Sequence, residues 1–278
     1  VEITLAHSPD CDDAFMFYAL ATGKLDTGDL QFRSVLKDIH SLNLAAASSL
    51  YHVTAISVAA YPAVASSYQL LPCGGSLGVG YGPVVVAPRQ MEARELLEST
   101  IAIPGRTTSA YLALKLYLGA EPEAEEVPFD RIIDRVAAGN FAAGLLIHEG
   151  QLTFRDSGLV MVADLGAWWR EETGLPLPLG ANVVRRDLPD SVKVATASHI
   201  RNSIAYALAN RDEALEFALR FSRGIAPPTA ARFVGMYVND YTVELGTVGR
   251  RAIEALLTRG FPSESNDGSI PLDYVKIL

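Results

Sequence analysis

Cysteine is scarce. Cys11 and Cys73 stand far apart and outside any CxxC spacing, which argues against a disulfide framework or a zinc knuckle. Two free thiols suit a reducing compartment. No basic and apolar leader precedes the strand-like run that starts at Val1, so a cytoplasmic location is expected, although a processed precursor would begin the same way. Long apolar runs are missing too. Stretches such as 83–87 and 142–147 fall far short of the roughly 20 residues that cross a bilayer, and no membrane partner is expected. Basic residues are outnumbered, 23 against 32 acidic, for a net charge of −9. Lys and Arg nowhere gather into a stripe able to follow a phosphate backbone, so nucleic acid is not expected as a partner. No repeat, low-complexity tract or flexible linker divides the chain.

What is present is apolar bulk. At 49% hydrophobic and 20% charged over 278 residues, the chain can bury one large core, or two smaller ones that share a hinge. Strand-like runs at 3–6, 53–57, 83–87, 100–103, 144–147, 159–162 and 181–184 alternate with helical ones, the pattern of α/β layering. Asp12 and Asp13 open a helix expected to reach Leu20, and Asp38 opens one carrying Ile39, Leu42 and Ala46; carboxylates suit the positive end of a helix. From Ser191 onward the pattern turns helical, with helices expected over 191–209, 212–223, 227–238 and 246–259. A strand-poor tail needs a sheet to cover. The expected arrangement is therefore a larger discontinuous lobe of 1–89 and 181–278 and a smaller inserted lobe of 90–180, with hinge segments near 86–89 and 177–184.

Three segments carry polar groups where an open α/β sheet gathers ligands, outside the carboxyl ends of its strands. Ile103-Pro104-Gly105-Arg106-Thr107-Thr108-Ser109-Ala110 follows a short strand and opens a helix to Leu118. Free N–H groups there, flanked by hydroxyls, make a seat for a carboxylate or phosphate, and ordinary capping by Thr107 or Thr108 explains the same residues. No Lys follows the glycine, against a Walker nucleotide loop. His148 and Glu149 end the apolar strand 144–147; a histidine can take a proton near neutral pH, or can merely bond a backbone carbonyl. His7-Ser8-Pro9-Asp10-Cys11-Asp12-Asp13 lies between the first strand and the first helix. Its carboxylates lack the glycine and distant Glu of a calcium loop, so they are read as helix-start groups and hydroxyl acceptors, and no metal ligand is expected. Gly78-Val79-Gly80-Tyr81-Gly82-Pro83 leads into a strand and not a helix, which rejects a dinucleotide site. No Ser-His-Asp set is recognisable, and Trp168-Trp169 read as packing.

In order along the chain, these segments resemble the 1,4-dihydroxy-6-naphthoate synthases of the futalosine route to menaquinone, which have the two-lobed fold of type II periplasmic binding proteins with an interlobe cleft. The similar residues are His7-Ser8-Pro9 and Asp13 to Leu20, Asp38 with Leu42-Asn43, Ile56-Ser57 with Ala60-Tyr61, and Gly78 to Pro83. They continue through Ile103 to Arg106 with Thr108 to Tyr111, Gly144 to Glu149, Asp164 to Trp169 and Gly174 to Gly180, to about Asp187, and the match weakens in the helical tail. The resemblance implies His148 as the base, with Ala55, Ile56 and Ser57 at a strand end and Ser109 and Ala110 at a helix opening as substrate contacts; Thr108 beside them, and Ser8 and Asp13 in the first loop, are expected to join them from their own positions at a helix start and a strand end. Many members have Cys-Pro-Asn-Asp where this chain has Asp10-Cys11-Asp12-Asp13, and some have Lys at Ala55.

The activity so implied is a carbon–carbon lyase reaction on cyclic dehypoxanthinyl futalosine, a small carboxylated substrate, giving 1,4-dihydroxy-6-naphthoate and dihydroxyacetone. It needs no redox cofactor or metal, and a monomer or homodimer would suffice. The rivals are chorismate dehydratase, a sister enzyme of the same route and fold that the His148-Glu149 strand end disfavours, and a non-catalytic solute-binding protein using the same cleft for capture.

Overall fold

The computed structural model describes residues 1–222, 224–262, 270 and 272–277. Among these residues eleven strands form two sheets: β1 (Glu2–His7), β2 (Gln31–Leu36), β3 (Val53–Ser57), β4 (Tyr68–Leu70), β5 (Ser76–Gly78), β6 (Val84–Ala87), β7 (Ile101–Ile103), β8 (Ala124–Glu126), β9 (Ala143–Leu146), β10 (Val160–Asp164) and β11 (Leu177–Arg185). The first sheet runs β2-β1-β3-β11-β4, with β5 also on β11; the second runs β10-β6-β9-β7-β8. β1 is parallel to both β2 and β3, while β11 is antiparallel to β3, so the chain re-enters the first sheet in reverse. In the second sheet β7 is parallel to β8 and β9, and β6 is antiparallel to β9.

All seven expected strand runs are strands, and α/β layering in two units is the fold. The change of sheet falls earlier than expected, however. β6 lies wholly in the second sheet, so the outward crossing runs through 79–83, before the 86–89 segment expected, and β11 is already back in the first sheet at Leu177. Gly166, in the first turn of helix Leu165–Thr173, lies directly against the outward crossing: a Cβ there would stand 2.0 Å from the Tyr81 carbonyl.

β6 shows why such strands read as continuous apolar runs. Val85 and Ala87 enter a core that also takes Ile103, Leu145 and Trp169, while Val84 and Val86 enter a second core with Leu146 and Phe154. Both faces are buried, so alternation in space leaves no alternation in hydropathy. The tail folds back as expected. Helices Asp190–Ala209, Arg211–Leu219 and Pro227–Tyr237 bury Ile200, Ile204, Ala214 and Val234 against Ile3, Leu5 and Val53 of the first sheet. Arg223, the end expected for the second of these, lies outside the described residues, as do 263–269, 271 and 278 of the expected larger lobe. Helix Gly246–Gly260 packs Leu256 and Leu257 into the core that holds residues of both sheets. The first expected helix is broken at Phe17 into Cys11–Met16 and Tyr18–Ala21. Among the described residues no helix is long and apolar enough to cross a membrane.

Candidate active site

β1 and β3 end side by side in one sheet, β7 and β9 in the other, and the polar segments after these four strands converge on one cavity. It encloses about 720 Å³, its open mouth included, and is lined by Ser8 and Asp13, by Ala55, Ile56 and Ser57, by Thr108, Ser109 and Ala110, and by His148. The sequence motifs from both sheets thus meet. Asp10, Asp12, Gln151, Phe233 and Tyr237 complete much of the wall, and among the described residues no Lys or Arg lines it.

The loop after β1 is rigid and acidic. The Ser8 N–H donates to Asp13 Oδ2 at 2.7 Å, and the Ser8 hydroxyl donates to Asp10 Oδ2. Burial, then the charge of Asp10, pushes the Asp13 carboxyl up to about 7, partly offset by that Ser8 N–H. Asp12 is raised well above the carboxylate range by burial and then by Asp13, Asp10 and Glu149. His7 sits beneath, with Nδ1 on the Ser8 carbonyl at 3.0 Å and its ring 4.7 Å from that of Phe17. Burial lowers it to about 4, so it is neutral and must donate that bond. Cys11 and Cys73 are both free and buried, and burial raises both thiols, Cys73 to about 12, leaving them unreactive.

Ser57 is held from behind. Asn43, on helix Ile39–Ala47, accepts the Ser57 N–H at 2.8 Å and donates Nδ2 to Ser57 Oγ at 3.0 Å and to Thr107 Oγ1 at 3.1 Å. One buried amide thereby ties the end of β3 to the loop after β7. Sequence reasoning quoted Asn43 only as part of a resemblance and gave it no role.

At the opening of helix Ser109–Leu118 the hydroxyls are already engaged. Thr108 Oγ1 caps the helix, accepting from the Tyr111 N–H at 3.2 Å and donating to the Gly105 carbonyl at 2.7 Å. Ser109 Oγ donates to the Leu179 carbonyl at 2.6 Å and accepts from the Ala59 N–H at 3.1 Å. The capping reading therefore holds for the hydroxyls, which build the scaffold, while the N–H groups of Ser109 and Ala110 stand in the first turn, where a helix offers no acceptor of its own. Gly105 lets this loop close up, since a Cβ there would meet the His40 ring at 2.6 Å.

After the neighbouring strand β9 stands His148, one residue beyond Ile147, in the left-handed region at φ 54°. Its Nδ1 lies 3.0 Å from Oδ2 of the fully buried Asp10, and Phe129 packs edge-on against the ring at 4.7 Å. His148 Nε2 is buried and has no hydrogen-bond partner among the described residues. Asp10, Asp12 and His148 also offer ligand atoms within 4.8 Å of one another, where no metal ligand was expected. The ring nitrogen facing Asp10 can hold a proton or a cation but not both.

The cavity wall thus combines three buried acids (Asp10, Asp12, Asp13) and a histidine with a helix N-terminus. Similar chains have names. A family model described as menaquinone biosynthesis matches residues 3–262. A Thermus thermophilus protein named 1,4-dihydroxy-6-naphthoate synthase is 42% identical over 91% of this chain and 92% of its own. A Streptomyces coelicolor protein of the same name is 36% identical over 92% of each. The crystal structure of an Archaeoglobus fulgidus protein superposes with a TM-score of 0.89 at 47% identity, covering 95% of this chain and 97% of that one. A Candida albicans protein described as having the generic periplasmic binding protein fold matches at TM-score 0.73 and 12% identity over 100% and 98%, which speaks for the fold alone. The fold is therefore the periplasmic-binding-protein type expected, and the chain belongs to the menaquinone biosynthesis family, with the 1,4-dihydroxy-6-naphthoate synthase enzymes.

Proposed function

We propose that this enzyme cleaves cyclic dehypoxanthinyl futalosine to 1,4-dihydroxy-6-naphthoate and dihydroxyacetone, with His148 as the general base. The observation that carries this reading is that His148, paired with a buried carboxylate, lines one cavity with Ser109 and Ala110 in the first turn of a helix. A carboxylated substrate is oriented by these groups. Its carboxylate goes to the positive helix end, and its other end is held against the acids and the imidazole.

Nε2 of His148 then takes a proton from the substrate. The electron pair released breaks the carbon–carbon bond to the sugar-derived fragment, which leaves as dihydroxyacetone, and the bicyclic remainder becomes aromatic, which drives the step forward. Oxyanion character developing on the substrate is stabilised by preorganised donors, among them Ser57 and the N–H groups of Ser109 and Ala110. The two units close over the ligand and exclude water from the intermediate. The work is done in the cytoplasm, by a monomer or homodimer.

The test is direct. Purified protein incubated with cyclic dehypoxanthinyl futalosine should yield the naphthoate and dihydroxyacetone in equal amounts. Turnover of chorismate instead, or tight binding of the futalosine compound with no product, would assign the cleft to one of the two rival readings.

A further inference from the structure

Asp10 stands at the N-cap of helix Cys11–Met16 with extended backbone, φ −112° and ψ 162°, yet its side chain makes no capping hydrogen bond. An N-cap Asp is favoured because its carboxylate satisfies an orphan N–H of the first turn. Asp38, Thr108 and Asp164 each do so in this chain. Asp10 sends its carboxylate away from its own helix, where Oδ2 accepts the Ser8 hydroxyl and meets His148 Nδ1 at 3.0 Å. His148, for its part, holds a φ of 54°, a conformation that costs a non-glycine residue energy and persists where the surroundings enforce it. Two local preferences are given up, one at each partner, and the same contact accounts for both.

We infer that Asp10 is the positioning residue of the site: it holds the His148 imidazole in its Nδ1–H tautomer, so that Nε2, and not Nδ1, is the bare proton acceptor. This rests on the reading of His148 as base. The chemistry is that of an acceptor-only carboxylate, which can face Nδ1 only when Nδ1 carries hydrogen; Nε2, with no partner among the described residues, is then left with its lone pair. Phe129 edge-on to the ring removes the remaining freedom to rotate. The ionisable groups around the ring are Asp10, Asp12 and Asp13 from the first loop, Glu149 next in the chain, Tyr237 on the same cavity, and Asp130 beside Phe129 in the chain. Asp10 alone among them is in ion-pair contact with it. This chain orients its base by a buried carboxylate.

The experiment needs no variant for its first arm. With the histidine rings labelled with ¹⁵N, the His148 ring at about pH 8.5, in the range where an imidazole is neutral, should show the Nδ1–H tautomer. In Asp10→Ala the ring should turn to Nε2–H, the form a free imidazole prefers. Turnover should fall by on the order of 10²-fold or more while KM stays within about threefold. In a His148→Asn background, Asp10→Ala should cost nothing further, because the two act as one unit. A wild-type ring in the Nε2–H form, or one bearing a metal, overturns the inference. So does an Asp10→Ala protein whose ring stays Nδ1–H, whatever its turnover. A tautomer switch in Asp10→Ala together with an active His148→Asn protein would uphold the positioning contact and sink the reading of His148 as base, so the two failures are distinguishable.

Discussion

Tyr237 reaches across the cleft to Gln151: its hydroxyl donates to Oε1 at 2.8 Å, with both residues buried. Tyr237 ends a helix that packs on the first sheet, and Gln151 follows β9 of the second. Burial raises the phenol far above its ordinary range, so it remains a donor at every working pH. Tyr237→Phe would leave a buried amide oxygen unpaired, a loss of about 1–3 kcal/mol. The melting temperature should fall by several degrees, and because the bond joins the two units in the closed form, KM should rise more than kcat falls. An unchanged melting curve would show the bond to be immaterial.

Asn43 makes a second cross-link. Asn43→Ala removes the acceptor of the Ser57 N–H and the donors to Ser57 Oγ and Thr107 Oγ1, and a loss of about tenfold or more in kcat/KM is expected as the two walls lose register. Asn43→Asp keeps the acceptor but not the donors, so its loss should lie between. Equal losses in both variants would argue that the donated bonds carry the whole effect.

The pH dependence of stability has two opposed parts. Asp13, raised to about 7, keeps a proton in the folded chain that the unfolded chain releases near pH 4, so it lowers stability as pH climbs from about 4 to about 7. His7, lowered to about 4, refuses in the folded chain a proton that the unfolded chain takes below about 6.5, so its contribution is lost as pH falls over that window. Asp12, also raised by burial, acts in the same direction as Asp13. Asp13→Asn should gain stability relative to wild type at about pH 8 more than at pH 4, by a few kcal/mol. His7→Asn should fare better relative to wild type at about pH 4 than at pH 8. Melting temperatures across that range decide both, and parallel shifts at every pH would contradict them.

Most strands legible in the sequence are buried on both faces, such as Val84–Ala87; the half-buried edge strand Val160–Asp164 is legible from its apolar run alone. Those that escaped lack such a run. Gln31–Leu36 and Ala124–Glu126 are edges with mostly exposed side chains, and Tyr68–Leu70 and Ser76–Gly78 are three residues long. The motifs after β1, β3, β7 and β9 were readable because strand ends are where ligands gather, and His148 was singled out on that ground. What could not be read is pairing through space. Asp10 looks like a helix-start carboxylate until the second sheet brings His148 to it, and Asn43 is one polar position on a helix until Thr107 arrives from the other unit. The hydroxyls of Thr108 and Ser109 were likewise visible as residues but not as bonds already spent on Tyr111, Gly105 and Leu179.

The central claim, that His148 is the base, is tested most directly by His148→Asn with turnover, ligand affinity and melting temperature measured on one preparation. Asn tolerates the left-handed backbone at this position better than other residues, and its amide can still donate to Asp10, so the fold and the cavity should survive. Turnover should fall by roughly 10²- to 10⁴-fold or more, with the affinity for cyclic dehypoxanthinyl futalosine changed much less and the melting temperature little moved. Near-normal turnover with a lowered melting temperature would make His148 a structural residue and contradict the account.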